Sequence, residues 1–393
     1  MTGIGLALGG GGSKGAFQIG VWRALREQGQ QFTAITGTSI GAVNAALMLS
    51  AGYDRALEMW QNLNMEQCLT FSSDINLKST DLLSIHNANL LAREVLAQGG
   101  LDTKPLYDLL QYYIDEAAVR RNPVRFGLMT VLIPDLKPQP MWIEQIPEGK
   151  LIDFIMASAH LPGLQPVEID GRRYLDGGFA ENVPVSMLRR IGLRRIFAVD
   201  LEARPSLRGP LEDNTQMVFI HDKKDLGGML DLTPAVLQRN RQLGYLDALK
   251  AMDCLCGDYY TFSPAAYDQL IWQFGYDLLA GLEQAALTYD LDRCLIYNAE
   301  NFISEIRRRR QETQMIYEQR RQELQVESKL RAIASGKLKV LNLLPPLKLA
   351  MLLEMKASNL QNGTTSKIPL KLFANLNAAA LALQEIPDDY LID

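Results

Sequence analysis

The sequence predicts an α/β fold, a three-layer α/β/α domain around a central, mostly parallel sheet, followed by an all-helical C-terminal region. Three observations carry this. Apolar strand-like runs alternate with segments of helical period from Ile4 to about residue 255. Two of these units, Ile4-Gly5-Leu6-Ala7-Leu8 and Ile35-Thr36-Gly37-Thr38, each run into a glycine-bearing turn that opens a helix. Beyond Tyr260 strand signals almost vanish and helical ones continue.

Ile4 to Leu8 reads as a buried strand and Ala16 to Gln28 as a helix, with Phe17, Val21, Ala24 and Leu25 at helical spacing and Gly29 as its stop. A short strand over Phe32 to Thr36 and a small-residue helix over Ile40 to Ser50 follow, the latter packing closely through Ala42, Ala45 and Ala46. Residues 53–122 read as a helical insertion between strands, a place where lids and pockets are built. Phe126 to Ile133 is a strand, Met141 to Ile146 its partner, and Leu151 to His160 a helix. Then come Tyr174-Leu175-Asp176-Gly177-Gly178, a helix through Val185 to Arg190, and strands at Arg195 to Val199 and Met217 to Ile220. In the tail, Ala265 to Tyr297 reads as one or two helices, Ala299 to Ser335 as one long charged helix, Leu338 to Met355 as an apolar stretch broken at Pro345-Pro346, and Leu370 to Gln384 as a last helix. The expected division is 1–255 and 256–393.

The chain has 393 residues, and at roughly 150 residues per domain it has room for two or three. Apolar residues at 47% and charged ones at 22% argue against a largely disordered chain. A net charge of -5 makes nucleic acid a poor general partner. The charge is uneven: residues 300–371 carry a local +7, which leaves -12 elsewhere. Cys68, Cys254, Cys256 and Cys294 form no disulfide framework, and the Cys254-Leu255-Cys256 spacing is too tight for a zinc knuckle. Met1-Thr2-Gly3 leads straight into a strand with no charged leader, and no run reaches the roughly 20 apolar residues of a spanning helix. The expectation is a cytoplasmic protein able to sit peripherally on a membrane.

Gly37-Thr38-Ser39-Ile40-Gly41 fits G-x-S-x-G, in which a serine on a sharp strand-to-helix turn needs small neighbours and gains from the helix N-terminus beyond it. The upstream turn, Gly10-Gly11-Gly12 with Lys14 and Gly15, offers backbone N–H groups for an oxyanion, with Lys14 as tether or local positive charge. Gly10, Gly12 and Gly15 also fit the dinucleotide fingerprint, which asks for an acid at the end of the second strand, where Ala34-Ile35-Thr36 stands instead.

A serine nucleophile needs a base. Of the three histidines, His86 reads as a surface or cap residue, His160 as a helix-end residue, and His221 as a strand-end residue after Asp200. Ser39, Asp200 and His221 follow the chain order of an α/β-hydrolase triad. Asp176, before Gly177 and Gly178, offers another base in backbone able to approach a loop closely.

Together, in this order, the Gly10 to Gly15 loop, the Gly37 to Gly41 elbow, the Ala157-Ser158-Ala159 segment with Pro162 and Pro166, and Asp176-Gly177-Gly178 with Asn182 and Pro184 resemble the patatin-like phospholipase family. The resemblance covers about residues 4–250 and implies a metal-free, cofactor-free lipid acyl hydrolase: Ser39 as nucleophile, Asp176 as base, Gly10, Gly11 and Gly12 as oxyanion hole. Leu82, Leu83, Leu90, Leu91 and Leu96 in the insertion are candidates for an acyl pocket. A basic C-terminal region with Arg307 to Arg310, Arg320 and Arg321 suggests either a peripheral membrane contact or, through the interleaved glutamates, a salt-bridged helix long enough for a homodimer contact.

Overall fold

A computed structural model describes residues 3–70, 99–203, 214–320, 346–361 and 374–386. They fall into two compact units, Met1–Met252 and Asp253–Asp393.

The first unit is an α/β sandwich. Its strands are β1 (Ile4–Leu8), β2 (Ala34–Thr38), β3 (Arg125–Ile133), β4 (Lys137–Trp142), β5 (Glu168–Ile169), β6 (Arg172–Asp176), β7 (Arg195–Val199) and β8 (Gln216–Ile220). They form one sheet in the order β5-β6-β3-β2-β1-β7-β8, with β4 paired to β3. The β3, β2, β1, β7 and β8 core is parallel throughout; β4, β5 and β6 make the antiparallel pairings at one end. Helices are α1 (Ala16–Glu27), α2 (Ile40–Ser50), α3 (Tyr53–Asn62), α4 (Lys104–Tyr113), α5 (Glu116–Arg121), α6 (Leu151–Ser158), α7 (Val185–Arg190) and α8 (Pro234–Ala251).

Alternation along β1 and β2 sorts the layers. Ala7 and Ala34 pack with Val185 and Leu188 of α7 on one face. The intervening Leu6, Leu8 and Ile35 are buried on the other, where α2 lies with α1 packed beside it. This burial on both faces is why the central strands read as apolar runs. The partner of β3 begins four residues before the expected Met141. Lys137-Pro138-Gln139-Pro140 is strand despite its prolines, because β4 hydrogen-bonds to β3 alone and tolerates missing donors.

In the second unit the helices are α9 (Pro264–Thr288), α10 (Ala299–Arg320), α11 (Pro346–Gln361) and α12 (Ala374–Ala382). Helix α9 runs as one element across a break in helical geometry at Gly275, φ 71°. The expected helical tail gains one feature, a parallel pair of two-residue strands, β9 (Thr261–Phe262) and β10 (Ile296–Tyr297). Its core gathers Tyr260, Phe262 and Phe302 with Leu282 and Leu353. Within α10, Arg308 pairs with Glu305 and Glu312, Arg309 with Glu305, and Arg310 with Glu354 of α11. Much of the Arg307-to-Arg310 run is therefore neutralised by its own unit. Arg321 and residues 321–345 lie outside the described residues.

Candidate active site

Strand β3 brings the two candidate catalytic residues together. Residues 127–129 of β3 pair with β2 and β4 at once, and residues 130–132 with β6 and β4 at once. A strand has two hydrogen-bonding edges, so β2 and β6 share the edge that β4 does not occupy. On that edge β2 runs parallel to β3 and ends at Thr38 opposite Met129, while β6 runs antiparallel and ends at Asp176 opposite Thr130. The two strands meet head-on, one β3 residue apart. Ser39 leaves the end of one and Asp176 closes the end of the other.

Ser39 adopts φ 56° and ψ -126° between β2 and α2, a conformation that L-residues avoid. The glycines on either side make the fold-back possible. A Cβ on Gly37 would stand 2.3 Å from the Gly41 backbone, and one on Gly41 would stand 2.2 Å from the Leu8 carbonyl oxygen. The Ser39 N–H donates to Ser158 Oγ at 2.9 Å, and Ser158 Oγ donates to the Met129 carbonyl at 2.6 Å. Next to it, Thr130 Oγ1 lies 2.8 Å from the Leu175 carbonyl and 3.2 Å from that of Ala157. Ser158 and Thr130 are both fully buried. They weld α6, β3 and β6 to the serine turn.

The glycine loop is held from three sides. Gly10 N–H is directed to Asn182, 3.2 Å from its Oδ1 and 3.3 Å from its carbonyl, while Asn182 Nδ2 lies 3.4 Å from the Gly10 carbonyl. Ser13 N–H donates to the Met229 carbonyl at 2.8 Å. Behind the loop a buried relay runs from Trp60 Nε1 to Asn44 Oδ1 (2.9 Å), from Asn44 Nδ2 to Gln18 Oε1 (2.8 Å), and from Gln18 Nε2 to the Gly9 carbonyl (2.7 Å). Asn44 Nδ2 also donates to the Gly15 carbonyl. With Gly10 committed to Asn182, the loop N–H groups left without an acceptor among the described residues are those of Gly11 and Gly12. Lys14 is buried and reaches Glu202 at 3.4 Å and Asp225 at 3.6 Å, so it tethers the loop to the segments after β7 and β8.

Asp176 is 5% exposed. Burial raises its pKa above the usual aspartate value; a hydrogen bond from Ser39, the Gly178 N–H at 2.7 Å and the nearby His160 pull it back down. Gly177 and Gly178 form the short turn that Asp176 caps. His160 is buried beneath this strand, with Nδ1 2.8 Å from the Tyr174 carbonyl and Nε2 3.3 Å from that of Leu164, and its own carbonyl accepts the Asp176 N–H at 2.8 Å. It supports the acid's strand.

Ser39, Asp176, Gly10, Gly11 and Gly12 all line one cavity of about 620 Å³, walled mainly by apolar side chains such as Trp60, Leu63, Leu69, Leu106, Leu110 and Leu164. That volume falls in the small-molecule range of roughly 300–1,000 Å³. Several of these side chains come from the expected insertion, through α3, α4 and the segments beside them. Leu82, Leu83, Leu90, Leu91, Leu96 and His86 lie outside the described residues. Cys68 also lines the cavity, but burial pushes its thiol up to about 12, which leaves it protonated and unreactive at neutral pH.

Asp200 and His221 do not line this cavity. They sit at the ends of β7 and β8, and β8 is three strand spacings from β2, roughly 14 Å at about 4.8 Å per spacing. His221 Nδ1 is buried without a hydrogen-bond partner among the described residues, and burial lowers the ring's pKa. A triad would require that nitrogen to be oriented by an acid. Where a dinucleotide site would need an acid after β2, the chain has Thr38 and Ser39. Among the described residues, no helix is long and apolar enough to cross a membrane.

Residues 6–189 match the family model for patatin-like phospholipase. An uncharacterized NTE family protein of Mycobacterium tuberculosis is 28% identical over 212 residues, covering 53% of this chain and 51% of that protein. The lysophospholipase NTE1 of Chaetomium globosum is 29% identical over 233 residues, covering 55% of this chain and 12% of that one. The chain thus spans about half or far less of the curated relatives it matches. Among solved structures, VipD from Legionella pneumophila aligns with a TM-score of 0.41 at 15% identity, covering 100% of this chain and 94% of that one.

Proposed function

We propose that the protein hydrolyses carboxylic esters of lipids through a Ser39-Asp176 dyad. The observation that carries this reading is the head-on meeting of β2 and β6 along β3, which delivers a strained serine and a desolvated carboxylate to one apolar cavity. As Ser39 Oγ attacks the ester carbonyl carbon, its proton passes to the Asp176 carboxylate. The carbonyl oxygen takes up the negative charge and is held by the Gly11 and Gly12 N–H groups, with Gly10 acting as the anchor that Asn182 fixes. Asp176 then returns the proton to the departing alcohol, leaving an acyl ester on Ser39. Water attacks that ester as its proton passes to Asp176, and as the Ser39 Oγ–acyl bond breaks Asp176 returns the proton to Ser39 Oγ and the fatty acid leaves.

Burial suits Asp176 to this work, since an ordinary carboxylate with a pKa near 4 is a weak base toward a hydroxyl. The family match and the lysophospholipase relatives support a lipid ester as substrate. The test is turnover of a soluble ester and labelling by a serine-directed organophosphonate in wild type, Ser39→Ala, Asp176→Asn and His221→Ala. The dyad requires the first two variants to be inactive and the third active. An inactive His221→Ala beside an active Asp176→Asn would overturn it.

A further inference from the structure

The cavity holding Ser39 and Asp176 opens through an apolar mouth. Phe179, Leu230 and Met229 both line it and stand in solvent, exposed by 61%, 48% and 41%. Single exposed apolar side chains are common, but three large ones gathered at one cavity mouth mark an interaction surface. The charges there narrow the choice of partner. Among the described residues, the charged ones lining the cavity are Asp176 and Glu202, both acidic. The nearest lysine of the loop, Lys14, is taken up by Glu202 and Asp225. Among the described residues, none that lines this mouth is a cation able to hold an anionic headgroup.

We propose that Phe179, Met229 and Leu230 form the surface on which the protein meets a zwitterionic lipid bilayer, entering its interfacial layer so that an acyl chain passes from lipid to cavity without crossing water. The proposal rests on the lipid-ester reading. The rim is also coupled to the reaction machinery. Phe179 ends the turn that Asp176 begins. The Met229 carbonyl accepts the Ser13 N–H at 2.8 Å, and Ser13 Oγ donates to the Gly228 carbonyl at 2.9 Å. Lipid seated on the 228–230 segment therefore bears directly on the loop that presents Gly11 and Gly12. The competing surface is the basic run of α10, but Arg308, Arg309 and Arg310 are already in ion pairs.

The experiment is flotation of the full chain with vesicles of ether-linked phosphatidylcholine, which carries no ester to cleave, and with the same vesicles containing anionic phosphatidylglycerol. Wild type is expected to float with phosphatidylcholine alone, with no gain from the anionic lipid. Phe179→Ser combined with Leu230→Ser should partition about tenfold more weakly, while circular dichroism and melting stay those of wild type. Leu230→Asp alone serves as a second variant and should weaken partitioning similarly. Three results would overturn the proposal: no flotation with phosphatidylcholine, equal flotation of the variants, or binding that needs anionic lipid and is abolished by high salt, which would assign contact to a basic segment. Flotation reads no ester cleavage. A protein that floats but hydrolyses nothing sinks the hydrolase reading, whereas a hydrolase that does not float sinks only the rim.

Discussion

The Ser39 N–H and the Ser158 hydroxyl are hydrogen-bonded at 2.9 Å, and the same hydroxyl donates to the Met129 carbonyl at 2.6 Å. Ser158 therefore connects the serine turn to the β3 residue that faces Thr38, the last residue before the turn. A non-glycine residue in a disfavoured backbone region costs about 1–3 kcal/mol, and it persists only where its surroundings hold it. Ser158→Ala would leave a buried N–H and a buried carbonyl unpartnered, about 1–3 kcal/mol for each group. We expect a lower Tm and, on a soluble ester, a fall of about 10- to 100-fold in kcat with KM within about twofold. Rates are to be normalised to active sites titrated with organophosphonate. Unchanged kcat per titrated site would reduce Ser158 to a purely structural residue.

The raised pKa of Asp176 links activity and stability with opposite signs. The proposed base must be ionised to act, so kcat/KM should fall on the acid side with a midpoint above the value near 4 of an ordinary aspartate. For stability, a carboxyl whose folded pKa exceeds its unfolded one contributes fully below the unfolded value and loses that contribution as pH rises through the folded one. At neutral pH the buried charge is a liability that an amide avoids, and Asn can still accept the Gly178 N–H. Asp176→Asn should thus be inactive yet melt no lower than wild type at pH 7, with the comparison moving in favour of wild type as pH falls. Thermal melts from pH 3 to 8 check this; a variant markedly less stable at pH 7 would contradict the desolvation account.

The parallel core and the sharp Ser39 turn are legible in sequence because doubly buried strands and G-x-S-x-G have strong local patterns. Strand β4 was displaced because Pro138 and Pro140 read as turn residues, and the edge position that tolerates them is a tertiary property. The Ser39-Asp176 pairing follows from a shared edge of β3, a relationship between segments more than 130 positions apart that no local spacing encodes. For the same reason the sequence marks Ser158 and Asn182 only within the segments that carry the family resemblance, and Thr130 only as one residue of a strand. Their tasks exist only once β3 and the glycine loop are adjacent. Gly10 illustrates the limit: the run of glycines made three donors look equivalent, and Asn182 distinguishes them.

Gly12 tests the remaining donors. Its φ is +59°, and a Cβ there would lie 2.2 Å from the Met229 carbonyl oxygen, which is backbone and cannot swing aside. Gly12→Ala should displace the loop from the 228–230 segment and misdirect an oxyanion donor. The expected loss is about 100- to 1,000-fold in kcat, the cost of one such donor. Far-UV circular dichroism should remain that of the parent. Near-parental turnover would show that the Gly12 N–H does not face the developing charge.

Lys14 separates tethering from direct electrostatic assistance. Its ammonium is spent on Glu202 and Asp225, whose side chains are 44% and 74% exposed. Ion pairs with such solvated partners contribute only about 1 kcal/mol and weaken as salt rises. Lys14→Met should therefore lower Tm modestly, flatten the dependence of Tm on salt, and reduce kcat by about tenfold or less through a looser loop. Lys14→Arg should restore the salt dependence and most of the rate, because a guanidinium can span the same two carboxylates. A loss in Lys14→Met as large as that of Gly12→Ala would instead mean that the cation acts on the oxyanion itself. Steady-state rates and melts at low and high salt, measured on the three proteins together, distinguish the two roles.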